Sequence, residues 1–243
     1  MDHSEIWDEE AAEGYDEPGT GMFAPEVLDP VVARLAELAG GGPVLEFAIG
    51  TGRVALPLLA RGVAVSGIEM SPAMLAQLRR KVDAAGLPVV LGDMATARVA
   101  GEFALVFLVF NGLSNLLTQD QQLACFHNAA RHLAPGGRFV IEMWVPRLPH
   151  PGDAQALVGR MGAGYLMVDQ FDVAAQIVVS HHFRFDAGKE ARLFRSPHRY
   201  VWPAEMDLMA QAAGFVLESR DADWAGAPFT ATSGSHVSVY RRI

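Results

Sequence analysis

The chain has 243 residues, 51% of them hydrophobic, which is enough for one large domain with a core or for one domain carrying a small cap; the second arrangement is expected. Its one cysteine, Cys125, excludes an internal disulfide framework and any cysteine-based zinc site, and within the helical pattern of 120–133 it is expected to be a small buried hydrophobe. The net charge of −9 is crowded at the front, where Asp2, Glu5, Asp8, Glu9, Glu10, Glu13, Asp16 and Glu17 precede the first basic residue, Arg34; with no basic stripe anywhere, a nucleic-acid partner is not expected.

The N-terminus carries no basic start followed by an apolar run, and no stretch approaches the length of a membrane span, so a cytoplasmic chain without a membrane partner is expected. The acidic leader, 1–25, is expected to be solvated and mobile. The sharper alternative is that its end, Tyr15-Asp16, folds over a ligand as a lid.

From 26 to 39, Val27, Leu28, Val31, Val32, Leu35 and Leu38 recur at helical spacing, and Gly40-Gly41-Gly42 ends the helix. Short apolar runs then alternate with helical patterns. Strand is expected at 43–49, helix at 53–60, strand at 63–68, and helix at 71–85 with Ser71 as cap and Pro72 in the first turn. Strand at 88–91, a wholly apolar strand at 103–110, helix at 118–133 and strand at 138–144 follow, with Pro135-Gly136-Gly137 as the turn between the last two. Such a series predicts a parallel sheet covered on both faces by helices.

After Trp144 the pattern changes. Pro146, Pro149 and Pro151 open an irregular link, and 165–171, 176–185 and 191–201 predict consecutive antiparallel strands, the latter two joined by the turn at 186–189. Helix returns at 204–213 after Pro203, then strand at 215–218 and a closing strand at 236–243. The expected organisation is an acidic segment or lid at 1–25, an α/β domain formed by 26–145 and 202–243, and an antiparallel β cap at 146–201.

The segment Val44-Leu-Glu-Phe-Ala-Ile-Gly-Thr-Gly52 carries the chemistry. Gly50 and Gly52 let the backbone bend sharply and approach a ligand. Taken alone they are ambiguous, because Gly50-x-Gly52-x-x-Ala55 also fits the dinucleotide fingerprint and Glu69 lies where a ribose-binding acid of a dehydrogenase would be. Three acids tilt the balance. Glu46, before the glycines, suits a cationic amino group and would repel a pyrophosphate. Glu69 offers paired acceptors for ribose hydroxyls beside the apolar Met70, and Asp93 can accept an exocyclic amine beside Met94.

From Tyr15 to Ile243 the chain resembles the class I S-adenosylmethionine (SAM)-dependent methyltransferases, whose first motif reads acid-x-Gly-x-Gly-x-Gly. Here it is Glu46-Phe-Ala48-Ile-Gly50-Thr-Gly52, with Ala48 in place of the first glycine. Glu69, Asp93 and the turn Leu133-Ala-Pro-Gly-Gly-Arg-Phe139 follow in the family's order and spacing. The resemblance implies a Rossmann-like three-layer α/β sandwich with a seven-stranded, mostly parallel sheet whose last strand is antiparallel, and with the β cap inserted after strand 5. It implies SAM as cofactor and S-adenosylhomocysteine as product, held by Tyr15, Glu46, Ala48, Gly50, Gly52, Arg53, Glu69, Met70, Asp93, Met94, Phe110 and Asn111. The inserted sheet and the Tyr15-Asp16 pair are similar to those of the sugar N,N-dimethyltransferases of antibiotic pathways. Those enzymes can carry a histidine in the loop after the fourth strand, where this chain has Asn115.

The function expected is methyl transfer to a nitrogen or oxygen of a small molecule by in-line displacement, where orientation supplies much of the acceleration. Candidate bases are His182, Tyr15 and Glu142, with His181 on the opposite face of the same strand. Arg184, Arg195 and Arg199 are expected to be solvated cap arginines, or else an anion site. No metal site is expected. Other chemistry on bound SAM, a non-catalytic SAM-binding subunit and an NAD-dependent oxidoreductase are the alternatives. An exposed edge of the cap sheet would favour a homodimer.

Overall fold

The computed structural model describes residues 8–148, 156–162, 164–185 and 192–243. Pro149, Pro151 and the turn expected at 186–189 lie outside them, as does the very start of the acidic leader.

A five-residue helix, α1 (Glu9–Glu13), is capped by Asp8, whose side chain accepts from the Ala11 amide. Then come α2 (Pro25–Ala39), β1 (Val44–Phe47), α3 (Ala55–Ala60), β2 (Val65–Glu69), α4 (Pro72–Arg79) and β3 (Val89–Leu91). The first half ends with β4 (Phe103–Leu108), α5 (Gln119–His132) and β5 (Leu133–Trp144). Thr118 and Gln121 close α5 with a reciprocal capping box, which satisfies amides that the first turn of a helix leaves without partners. The cap strands are β6 (Ala156–Gly162), β7 (Tyr165–Asp172), β8 (Ile177–Arg184) and β9 (Arg192–Arg199), and α6 (Pro203–Ala212), β10 (Phe215–Asp221) and β11 (Ser235–Arg242) complete the chain.

The seven-stranded sheet has the order β10-β11-β5-β4-β1-β2-β3, with β1 to β5 parallel and β11 antiparallel to both its neighbours. Alternate residues of each strand feed opposite cores. Val44, Leu105 and Phe107 pack with α2 and α3 through Leu35 and Leu58, whereas Leu45, Phe47 and Val106 pack with α5 and α6 through Phe126 and Met206. Strand order reverses between β1 and β4, the crevice in which open α/β sheets bind ligands. The second sheet, β6-β7-β8-β9, is antiparallel throughout.

Three local expectations are corrected. The helix expected at 71–85 stops at Arg79, because the Asp83 side chain accepts the Gly86 amide and Lys81 turns away to Asp16 and the Thr51 carbonyl. The turn expected at Pro135-Gly136-Gly137 is a bulge inside β5: Phe103 pairs with Leu133 but Leu105 pairs with Arg138. The cap has a fourth strand, β6, which was not expected from a segment with two glycines and no clean alternation.

The described part of the leader is packed rather than free. Ala12 is buried, Asp16 accepts the Thr51 hydroxyl at 2.6 Å and pairs with Lys81, and Glu10 pairs with Arg192 of the cap at 2.7 Å. The composition of the leader describes its solvation in isolation; these tertiary partners decide its place.

Candidate active site

The carboxyl ends of β1 to β4 meet in one cavity of about 1290 Å³, which continues beneath the cap. After β1 the chain turns through Ala48 (φ 51°), Gly50 (φ 58°) and Gly52 (φ 85°). Glycine is required at Gly52, because a Cβ there would lie 2.5 Å from Leu78 Cδ1 and the left-handed backbone strains any L side chain. Ala48 accepts that strain.

Glu46 enters this turn from the strand, 3% exposed, and its Oε2 is buried without a hydrogen-bond partner. Burial drives its carboxyl well above the usual range, an effect that the Arg53 guanidinium and the Ala55 amide only partly offset and that nearby Glu69 reinforces. Glu69 at the end of β2 is held differently: Oε2 accepts the Gly50 amide at 2.7 Å and Oε1 the Ser71 amide at 2.8 Å. Its carboxyl is raised by burial and lowered by those amides. Asp93 follows β3, its Oδ1 accepting from Ala95, and Met70, Met94 and Ile68 supply apolar wall.

Tyr15 brings the leader into the cavity, edge-on to Phe23, with its phenol raised chiefly by burial. Arg53 donates to the Met22 carbonyl and lies 5.2 Å from the centre of the Phe110 ring. Phe110 (φ 52°) and Asn111 (φ 62°) form a left-handed corner that leaves the Phe110 ring 51% exposed. Asn111 Oδ1 accepts the Trp144 amide at 2.7 Å, so its side chain braces the corner.

The cap supplies the other end of the cavity. His182 faces inward and His181 does not, as strand alternation requires. The Tyr165 hydroxyl and His182 Nδ1 share a 2.6 Å hydrogen bond, Nε2 lies 2.8 Å from Ser196 Oγ, and the ring stacks on Phe194 at 4.2 Å. Burial lowers its pKa, keeping the imidazole neutral.

A family model described as a methyltransferase domain matches residues 44–137. The chain is 37% identical to the CcbJ methyltransferase from Streptomyces caelestis, covering 95% of each chain with a TM-score of 0.84. The chain belongs to the SAM-dependent methyltransferases. It is also 26% identical, over the full length of both, to the cypemycin N-terminal methyltransferase of a Streptomyces species. To the dTDP-3-amino-3,4,6-trideoxy-alpha-D-glucopyranose N,N-dimethyltransferase of Streptomyces venezuelae it is 29% identical, over 80% of this chain and 83% of that one.

The residues of this methyltransferase fit its cofactor. An orphaned buried carboxylate oxygen at Glu46, the tight Gly50–Gly52 turn and acids at three successive strand ends suit a ligand with a cationic amino end and hydroxyl and amine donors. When bound, SAM supplies an activated methyl group on a sulfonium sulfur.

Glu142 requires correction. Its Oε2 accepts the Phe110 amide at 2.7 Å and its Oε1 the Trp224 indole N–H at 2.9 Å, and it is not among the residues that line the cavity, so the structure places it as a brace of the corner rather than facing an acceptor. Arg199 is neither solvated nor an anion site: it is buried, paired with Glu205 at 2.7 Å and bonded to Gln122 and Gln176. Arg195 donates to His181, while Arg184 lines the cavity with its guanidinium 5.8 Å from the Phe194 ring centre. Sequence reasoning missed Trp224 and the cap residue Asp169; strand alternation with His182 would have placed Asp169 on the inner face.

Proposed function

We propose that this methyltransferase acts on the amino nitrogen of a small polar molecule, seated under the cap while SAM occupies the strand ends. The observation that carries this reading is the single cavity joining Glu46 to the cap face, whose volume exceeds the roughly 300–1,000 Å³ of an ordinary ligand pocket and leaves room for two molecules side by side. One relative named an N-terminal methyltransferase and one named an N,N-dimethyltransferase support nitrogen over oxygen.

In this reading Glu46 receives the amino group of the cofactor, Glu69 the ribose and Asp93 the adenine. Ala48, Gly50, Gly52 and Arg53 form the turn around it, and Met70, Met94 and Phe110 form its apolar walls. Tyr15 closes the site from the leader, which acts as a lid. An amine attacks through its own lone pair, so His182 serves to order the chamber and orientation does most of the catalysis.

No helix of the described residues is long and apolar enough to cross a membrane. We read the acceptor as a small molecule rather than a nucleic acid, and the compartment as the cytoplasm. The outer faces of the cap, with Met161 and Leu193 exposed, would suit a homodimer.

The test is mass spectrometry of reactions with isotopically labelled SAM and paired panels of amines and alcohols. Labelled methyl on nitrogen is the expected product; transfer to hydroxyls alone overturns the amine reading.

A further inference from the structure

The inner face of the cap is ordered in rows across its strands. Asp169 on β7, Ser180 on β8 and Ser196 on β9 are register partners in one row, and all three line the cavity. The flanking rows pair Phe171, Val178 and His198 on one side and Met167, His182 and Phe194 on the other, and all six line the cavity. The Ser180 hydroxyl donates to Asp169 Oδ1 at 2.6 Å, which fixes the carboxylate against the strand.

Among the described residues, no ion pair involves Asp169. Arg184, on the same face, is four residues along β8 from Ser180, roughly 13 Å at the rise of a strand, and its guanidinium lies over Phe194. Arg147 also lines the cavity, with its guanidinium against Gly234. With no arginine or lysine among the described residues paired to it, this half-buried carboxylate offers a fixed negative charge to a cation that forms beside it. His182 in the neighbouring row feels the Asp169 charge, which raises its pKa, but burial outweighs that and lowers it.

Resting on the amine reading above, we propose that Asp169 seats the amino group of the acceptor and makes the chamber select amines over alcohols of the same shape. The charge flow of the reaction favours this placement. The acceptor nitrogen turns from neutral to cationic as its lone pair forms the N–C bond, while the electron pair of the broken S–C bond stays on sulfur; the extra N–H proton then leaves to water. A fixed carboxylate in the chamber stabilises that developing charge, whereas a neutral amide does not.

Acceptor kinetics at saturating SAM test the assignment on the full-length protein, with SAM binding measured separately by calorimetry. Asp169→Asn keeps an oxygen for Ser180 and is expected to lower kcat/KM for amine acceptors about 10–100-fold, chiefly through kcat, because the stabilisation lost is of charge that develops in the transition state. The ratio of amine to alcohol turnover should fall with it, while the Kd for SAM stays within about twofold. Ser180→Ala, which leaves the charge but frees it to turn, should shift amine kcat/KM in the same direction by a smaller factor. An unchanged amine kcat/KM and amine-to-alcohol ratio in Asp169→Asn overturns the assignment, as does a loss of SAM affinity equal to the loss in kcat/KM. The failure of the amine reading itself is visible in the wild-type protein alone, as labelled methyl found only on alcohols.

Discussion

Glu142 and Phe110 are joined across neighbouring strand ends by a 2.7 Å hydrogen bond from the Phe110 amide to Oε2, and that bond holds a left-handed phenylalanine in the wall of the active site. With Trp224 on its other oxygen, both carboxylate oxygens accept hydrogen bonds within the protein. Glu142→Gln replaces one acceptor by an amide NH₂ that faces a donor, so thermal denaturation should show a loss of about 1–3 kcal/mol. The pH dependence of kcat should keep its shape. A lost limb in that profile would restore Glu142 as a base.

The turn after β1 makes opposite predictions for neighbouring positions. Ala48 pays for a left-handed backbone that glycine adopts freely, and Ala48→Gly should stabilise the protein by about 0.5–1 kcal/mol once the looser unfolded chain is counted. Gly52→Ala adds a Cβ 2.5 Å from Leu78 Cδ1 and should cost about 1–3 kcal/mol together with SAM affinity. Urea denaturation of the two variants checks both signs.

Glu46 links cofactor binding to protons. With its carboxyl raised well above the usual range by burial, the empty site favours the protonated form, and an arriving ammonium group favours the ionised one. SAM affinity should therefore rise with pH, with a proton released on binding. Calorimetry in two buffers of different ionisation enthalpy should give different apparent enthalpies for wild type and equal ones for Glu46→Gln, whose Kd should be about 10–100-fold weaker.

His236 governs a separate pH effect, remote from the chemistry. Burial first, and then the Arg220 charge, push it down to about 4, and its Nε2 has no hydrogen-bond partner. The unfolded chain takes up a proton on this residue near pH 6.5 while the folded chain resists until about 4. Stability is therefore intact above about pH 6.5 and is lost as pH falls toward 4, by up to about 3 kcal/mol. Glu46 contributes with the opposite sign in part of this window. The measurement is accordingly the difference between wild type and His236→Phe in urea melts at pH 7.5 and pH 5. Equal slopes in the two proteins would refute the assignment.

The sequence disclosed whatever rests on local pattern. Apolar runs and glycines placed β1, β2, β4 and β11, and the acids at 46, 69 and 93 stand where their strands end. Residues defined by distant partners were not legible. Trp224 meets Glu142 across 82 positions and Asp16 meets Thr51 across 35, so a carboxylate that braces a corner resembles a base, and a leader that is pinned resembles a free tail. Arg199 misled for the same reason, since the partners of this strand residue, Gln122 and Glu205, lie in two helices.

That last arrangement constrains anyone who would re-engineer specificity by exchanging caps between relatives. Arg199 belongs to the cap, but the groups that balance its charge, Glu205 and Gln122, belong to the cofactor domain, and Gln122 also holds the carbonyls of Leu113 and Leu116 in the loop beside the cavity. A transplanted cap lacking the arginine would strand a half-buried carboxylate, and one placed on a domain without the acid would bury an unmatched cation. The transferable unit is the cap together with positions 122 and 205.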